Sequence, residues 1–362
     1  MNSLVTLVTG GAGFIGSNLA HRLLGMGRRV RILDNLSRPG IKQNLEWLRE
    51  RHGKLLEVVL GDVRDPAVVA RAVKGAGQVF HFAAQVAVTT SLNRPQEDFS
   101  VNAQGTLNVL EAARAQASPP GVLMTSTNKV YGALEDVALA VELHSRRYLP
   151  ADPKLRSSGV SEARPLDFHS PYGCSKGTAD QYVLDYARSY GLTTAVFRMS
   201  CIYGPRQFGT EDQGWVAHFI LRALRGEPIT LYGDGMQVRD ILFIDDLVDA
   251  FLLAEQHRAR LAGRAFNMGG GPSNAISLLE LLDRIAGLRG KRVEVEFDKW
   301  RTGDQRYYVS DTRAFQQATG WRPRIDADEG IERLYAWLAS RQAPVAARPK
   351  RMVARASLVE GR

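Results

Sequence analysis

Cysteine is almost missing from this chain: Cys174 and Cys201 are the only two in 362 residues. Two cysteines cannot build a disulfide framework, and neither stands in a metal-ligand spacing, so no metal site is expected. No apolar run reaches the ~18 residues of a membrane span. The start of the chain enters a strand almost at once, without a charged-then-apolar leader, which leads us to expect a cytoplasmic protein. Internal repeats are also absent. Acidic residues are too few to balance the basic ones, and the formal charge is +9. That excess is local. From Arg341 onward six basic residues face only Glu360, so five of the nine charges lie in residues 341–362. With Pro344 and Pro349 and no apolar periodicity, this basic tail is expected to be disordered. The remaining body is mildly basic, which suits a small anionic ligand and argues against nucleic acid or membrane as partners.

Hydrophobic residues make up 44% of the chain, enough for a sizeable core. Leu4 to Thr9 read as a short buried strand rich in β-branched residues. The strand runs into Gly10-Gly11-Ala12-Gly13-Phe14-Ile15-Gly16, followed by the helical residues 17–24. Glycines at 10, 13 and 16 allow a tight turn, close approach of a pyrophosphate and close helix–strand packing. Strand before and helix after supply the context that a glycine triplet needs to be read as a dinucleotide site. The next strand ends on Asp34, where a carboxylate accepts ribose hydroxyls and repels a 2′-phosphate. NAD is therefore preferred to NADP, although Arg38 stands close enough to hold a phosphate.

Further strands are expected at residues 55–60, ending near Asp62, at 79–85 and at 121–126, with helices at 43–51, 102–115 and 178–190. Ala83 and Ala84 would let a dinucleotide lie against the backbone. His81, inside the same apolar run, is expected to be a satisfied core histidine. Such alternation predicts an α/β fold, a Rossmann-type doubly wound parallel sheet. Beyond residue 202 short elements and glycine-rich turns predict a smaller mixed α/β substrate-binding domain. We thus expect a cofactor domain at 1–202, with a lid-like insertion at 132–169, and a substrate domain at 203–340. Residues from about 238 to 268 are expected to return to the first domain.

Tyr172 and Lys176 are four residues apart and share a helix face. An ammonium there favours the phenolate, which would lower a tyrosine pKa of ~10 and create a base for a hydroxyl proton. Thr127, at the end of the fifth strand, lies where open α/β sheets place their chemistry.

Together these stretches resemble the extended short-chain dehydrogenases/reductases of the nucleotide-sugar epimerase/dehydratase family, over roughly residues 5–337. The resemblance rests on the Gly10–Gly16 loop, Asp34, Asp62-Val63, His81 through Gln85, Asn102, Tyr172-x-x-x-Lys176, Tyr203-Gly204-Pro205-Arg206 and Arg239-Asp240. It implies Thr127, Tyr172 and Lys176 as catalytic residues. It implies NAD contacts from Gly10, Gly13, Phe14, Ile15, Gly16, Asp34, Asn35, Ser37, Arg38, Asp62 and Val63. Ala83, Ala84, Gln85, Asn102, Thr125, Tyr172 and Lys176 complete that set. Substrate contacts would come from Gln85, Thr127, Asn128, Cys201, Arg206, Gln207, Arg239 and Arg301, the last two as diphosphate ligands. Trp215 could be either core or a sugar-facing wall.

Within the family, Ser126 through Gly132, Asp167 through Gly177 and Arg206-Gln207-Phe208 with Asp212 through Val216 resemble the CDP-paratose 2-epimerase branch. Cys201 fits that branch, because relatives elsewhere carry asparagine there. A CDP-sugar inverted at C2 is therefore the favoured substrate, with UDP-hexose 4-epimerisation as the alternative. A 4,6-dehydratase would need an acid/base pair where Asn128 and Lys129 stand. The resemblance also implies a homodimer or homotetramer.

Overall fold

Residues 4–301 and 303–342 are described by the computed structural model. Their strands are β1 (Val5–Thr9), β2 (Val30–Asp34), β3 (Leu56–Leu60), β4 (Ala76–His81) and β5 (Gly121–Thr127), then the pair β6 (Leu139–Glu142) and β7 (Arg147–Pro150). After them come β8 (Thr194–Met199), β9 (Cys201–Tyr203), β10 (Ile229–Tyr232), β11 (Val238–Phe243), β12 (Arg264–Met268), β13 (Ala275–Ser277), β14 (Val295–Asp298) and β15 (Tyr307–Tyr308). Among the described residues the main sheet has the order β12-β8-β5-β4-β1-β2-β3, every neighbouring pair parallel.

Strand periodicity explains the two helix layers. Val8, Ile32, Phe80, Leu123 and Phe197 point to one face, where helices Phe14–Gly25, Ile41–His52 and Ile244–Gln256 cover them. Leu7, Leu33, Val79, Val122 and Val196 point to the other, under helices Pro66–Val73, Gly105–Arg114 and Ser170–Tyr190. A sheet buried on both faces needs strands apolar throughout, as β1 (Val-Thr-Leu-Val-Thr, all buried) is. The strand order reverses direction between β1 and β4, so their carboxyl ends frame a crevice.

Three expectations change. The helix expected at 102–115 is a π-turn at Ser100–Gln104 followed by helix Gly105–Arg114, since an inserted residue leaves the apolar period nearly intact. Residues 132–169, expected as one lid-like insertion, contain regular structure: β6 and β7 form a hairpin and Pro153–Ser158 a helix. Tyr148 N–H donates to Met236 O and Val160 N–H to Val309 O, which docks this stretch beside β11 and β15. The return to the main sheet begins with helix Ile244–Gln256 and ends with β12, later than residue 238, because β11 stays in the smaller sheet with β9, β13 and β15.

Of the expected tail, Arg341 and Gln342 close helix Ala327–Gln342, and residues 343–362 lie outside the described part. Among the described residues no helix is long and apolar enough to cross a membrane.

Candidate active site

A cleft of about 680 Å³ runs along the carboxyl ends of the central strands. At its foot Gly10 adopts φ +66°, and a Cβ there would lie 2.8 Å from Ala83 N. A Cβ at Gly16 would lie 2.4 Å from Gly10 O, so loop and helix touch through bare backbone. Helix Phe14–Gly25 begins at Gly13 with no side-chain cap. Its first N–H groups are therefore free for an anion, and the helix dipole favours one.

Asp34 accepts from Ala12 N at 3.0 Å and from Leu36 N at 2.9 Å, which aims its carboxylate along the cleft. Burial raises its pKa, and those two N–H groups oppose the rise. Asp62 is held low, to about 2, chiefly by hydrogen bonds from Arg64. Asn35 Nδ2 also donates to it at 2.9 Å. Gly10, Gly13, Phe14, Ile15, Gly16, Asn35, Ser37, Arg38, Val63, Ala84, Gln85 and Thr125 line the same cleft as these carboxylates.

The exit of β4 is set by a chain of polar contacts that the strand pattern alone did not reveal. Thr9 Oγ1 accepts from Phe82 N and Ala83 N, each at 3.2 Å, and lies 2.7 Å from His81 Nδ1. His81 Nε2 lies 3.0 Å from Thr106 Oγ1, whose hydroxyl donates to Asn102 O at 2.6 Å. This arrangement requires a neutral ring, and burial pushes the His81 pKa down to about 3. His81 is thus the core histidine expected, and it also positions Ala83.

Asn102 does not line the cleft. Its Oδ1 accepts from Gln85 N at 2.9 Å and its Nδ2 donates to Ser175 Oγ at 3.0 Å, so it ties the β4 exit to the helix bearing Tyr172. Ser175 in turn donates to Asp98. Beneath that helix Arg198 grips Asp180 with two bonds of 2.9 Å, both groups buried. Neither Asp98, Ser175 nor Asp180 carried a sequence signal beyond ordinary helix polarity.

Tyr172, Lys176 and Thr127 converge as expected, all buried at the cleft wall. Lys176 Nζ donates to Thr125 O at 2.6 Å, and burial lowers its pKa to about 8. The expected depression of the tyrosine pKa is not found. Burial dominates and pushes Tyr172 up to about 12, opposed by the Thr127 hydroxyl and the more distant Arg38. The physical reason is that Lys176 spends a bond on the Thr125 carbonyl, while the phenol lies in a dry wall.

At the far end, Gln207 and Cys201 line the cleft, and Trp215 does too, which makes it a wall residue. Trp215 Nε1–H points at Cys201 Sγ, 3.2 Å away, and burial raises the thiol pKa. Four expected contacts lie elsewhere. Asn128 turns to Gln305, donating at 3.0 Å. Arg239 pairs with Asp304 at 2.8 Å, and Lys129 reaches the same carboxylate at 3.2 Å. Arg301 stacks on Tyr232 at 3.9 Å and faces Glu211 and Asp212. Arg206 needs correction: its backbone turns at φ 73°, and its guanidinium lies 3.4 Å from the Trp47 ring centre, outside the cleft. Ser126 was missed. The residue lines the cleft, and its buried Oγ has no partner among the described residues.

Sheet, glycine loop and Tyr–Lys pair define a dinucleotide-dependent enzyme of the short-chain dehydrogenase/reductase kind. The chain belongs to the NAD dependent epimerase/dehydratase family, whose profile matches residues 6–269. It is 42% identical to the CDP-paratose 2-epimerase of Salmonella typhi over 92% of this chain and 99% of that one. The UDP-glucose 4-epimerase of Thermus thermophilus, solved in complex with NAD, superposes with a TM-score of 0.76 at 33% identity, covering 94% of this chain and 100% of that one. The Thermotoga maritima UDP-glucose 4-epimerase, solved with UDP-glucose, gives 0.79 at 29%, covering 93% and 99%. NAD is the cofactor, and the uncapped helix start, Asp34 and the bare-backbone wall at Ala83 fit it.

Proposed function

We propose that this enzyme inverts C2 of a CDP-linked sugar: CDP-paratose to CDP-tyvelose, and by the same chemistry CDP-glucose to CDP-mannose. The observation that carries this reading is the pairing of an intact Tyr172–Lys176–Thr127 group with Asn128 and Lys129 turned away toward Gln305 and Asp304. Such a site supports a hydride shuttle and lacks the acid/base pair of an elimination. The likeness to a CDP-paratose 2-epimerase supports the choice of C2.

A C–H bond at C2 has no neighbour to stabilise a carbanion, so inversion requires oxidation. NAD, which the uncapped helix start, Asp34 and the close backbone at Ala83 would hold, would supply the reversible two-electron oxidation at C2. Tyr172 Oη takes the C2 hydroxyl proton as the 2-keto sugar forms, then gives it back when the opposite face is reduced. Thr127 Oγ1 holds the reacting oxygen, and Lys176 fixes the wall through Thr125 O. Cys201 and Trp215 leave room for the sugar to turn over, while Arg239 and Arg301 anchor the diphosphate by exchanging their carboxylates for it.

We assign cofactor binding to residues 1–202 and the returning segment, and sugar binding to the remainder up to 340. Exposed Leu92, Phe99, Tyr182 and Tyr190 on the side of helices Gly105–Arg114 and Ser170–Tyr190 support a homodimer or tetramer. A single-chain mass by light scattering would overturn the assembly.

The deciding experiment is proton NMR with CDP-paratose, CDP-glucose and UDP-glucose, each supplied without added cofactor. We expect inversion at C2 of a CDP-sugar with no deuterium uptake from heavy water. Inversion at C4 of UDP-glucose would establish the second reading, which needs only the same catalytic residues and which the solved 4-epimerases favour.

A further inference from the structure

On the outer side of the glycine-loop helix, four segments bring cationic groups around Trp47, and none of them lines the cleft. Arg206 follows β9, and its guanidinium carbon lies 3.4 Å from the indole centre. Arg51, on the same helix as Trp47, lies at 5.7 Å. The His21 ring, from helix Phe14–Gly25, lies 4.6 Å from the indole, and its Nδ1 lies 2.7 Å from His52 Nε2. Arg341, near the end of helix Ala327–Gln342, donates to Gln43 Oε1 at 3.2 Å.

Among the described residues none of Arg51, Arg206 and Arg341 forms an ion pair with a carboxylate. The charges that reach Arg206 are Arg341 and Arg51, both positive. Those that reach His21 are His52, Arg51, Arg206 and Arg22, and of these Arg22 is ion-paired, to Asp249 at 3.2 Å. Arg206 is half-buried and stays there because its carbonyl is held at 3.3 Å by Asn44 Nδ2, which also holds Ala12 O of the glycine loop at 3.2 Å. Trp47 adds an Nε1–H shut off from solvent with no acceptor among the described residues. Half-burying a guanidinium among like charges is unfavourable unless an anion joins it.

We propose that His21, Arg51, Arg206 and Arg341 form a binding site for a small phosphate-class oxyanion, separate from the cofactor and sugar cleft. Guanidinium forks match phosphate oxygens, and three of them with an imidazole pair select a multivalent anion over a monovalent one. The site lies one residue from Gln207 in the cleft wall and one amide bridge from the glycine loop, so its occupancy bears on both.

The probe is inorganic pyrophosphate, titrated by calorimetry into NAD-loaded enzyme at constant ionic strength, with CDP and UDP in excess to fill the cleft. We expect one saturable equivalent. The exposed pair Arg51→Ala with Arg341→Ala should weaken it at least about tenfold with NAD content unchanged. A second readout is the titration of the histidine ring protons. Burial and neighbouring cations lower both the His21 and His52 pKa values in the free chain. A bound anion favours the imidazolium, so pyrophosphate should raise an imidazole pKa in the wild type and not in the double variant, and binding should tighten as pH falls. Heats no larger than those of sodium chloride at matched ionic strength, or binding that the double variant leaves untouched, would overturn the site. Loss of binding on adding CDP and UDP would place the anion in the cleft instead.

Discussion

At the cofactor end of the cleft, the groups that face the ligand are backbone or lie within a few residues of a strand end. Toward the sugar end, the residues expected to meet the substrate, and their neighbours, are instead drawn into pairs far apart in the chain: Asn128 with Gln305, 177 residues away, Lys129 with Asp304, 175 away, and Arg239 with Asp304, 65 away. A pyrophosphate needs close backbone, which only a fixed spacing of glycines provides. A sugar needs walls, and walls can be rebuilt from any segment that reaches them. The two ends are thus free to change independently, which is how a family keeps NAD while changing its substrate.

The largest break between them should come from Tyr172→Phe. Removing the phenolic proton carrier should cut turnover by about 10²–10⁴-fold. The cofactor end stays whole, so NAD released on denaturing the purified variant should match the wild type. Turnover within tenfold of wild type would end the case for Tyr172 as acid and base.

His81 tests the cofactor end alone. Its folded pKa of about 3 lies below the unfolded value of ~6.5, so between those values the unfolded chain binds the extra proton. Stability therefore falls as pH drops through that window, by ~1.4 kcal/mol per pH unit, or about 3 kcal/mol at pH 4. His81→Gln removes the titration, and its urea midpoint should depend less on pH between 7 and 4 than that of the wild type. Equal dependence would mean that the ring takes up its proton without unfolding.

How far each end could be read from the sequence follows from the same contrast. The placement of Gly10, Gly13, Gly16, Asp34, Tyr172 and Lys176 along the cleft was legible because each position is imposed by strand, turn or helix geometry at short range. So was the alternation that builds the parallel sheet. The π-turn at Ser100–Gln104 was not, because one inserted residue barely shifts an apolar period. The hairpin of β6 and β7 was hidden because its partners, such as Met236, come from far along the chain. Arg206 misled for a different reason: its neighbours suggested a ligand contact, but a positive φ sends the side chain to Trp47. Asp304 is a hub for Lys129 and Arg239 that no local pattern marks.

Asp34→Ala probes the ligand-facing side of the cofactor end. Its carboxylate fixes Ala12 N and Leu36 N and faces the cleft, so its loss removes charge-assisted bonds worth ~2 kcal/mol. NAD should bind about tenfold to thirtyfold more weakly, read by fluorescence titration of stripped enzyme. At saturating NAD the sugar KM should stay as it was. A sugar KM that rises in parallel would mean that the two ends are coupled after all.

Trp215→Phe should give the smallest effect and the finest test. The indole N–H donates to Cys201 Sγ at 3.2 Å, and sulfur is a weak acceptor, so the bond itself contributes ~1 kcal/mol or less. Phenylalanine keeps an aromatic face against Phe219 but loses the tether. The wall loosens where the sugar must turn over, so sugar-nucleotide KM should rise by about twofold to fivefold. Bound NAD should remain stoichiometric, because no cofactor-end group touches the tether. A matching loss in Cys201→Ala, with no further loss in the double variant, would locate the effect in the N–H···S contact. Additive losses would show that each side chain meets the sugar on its own.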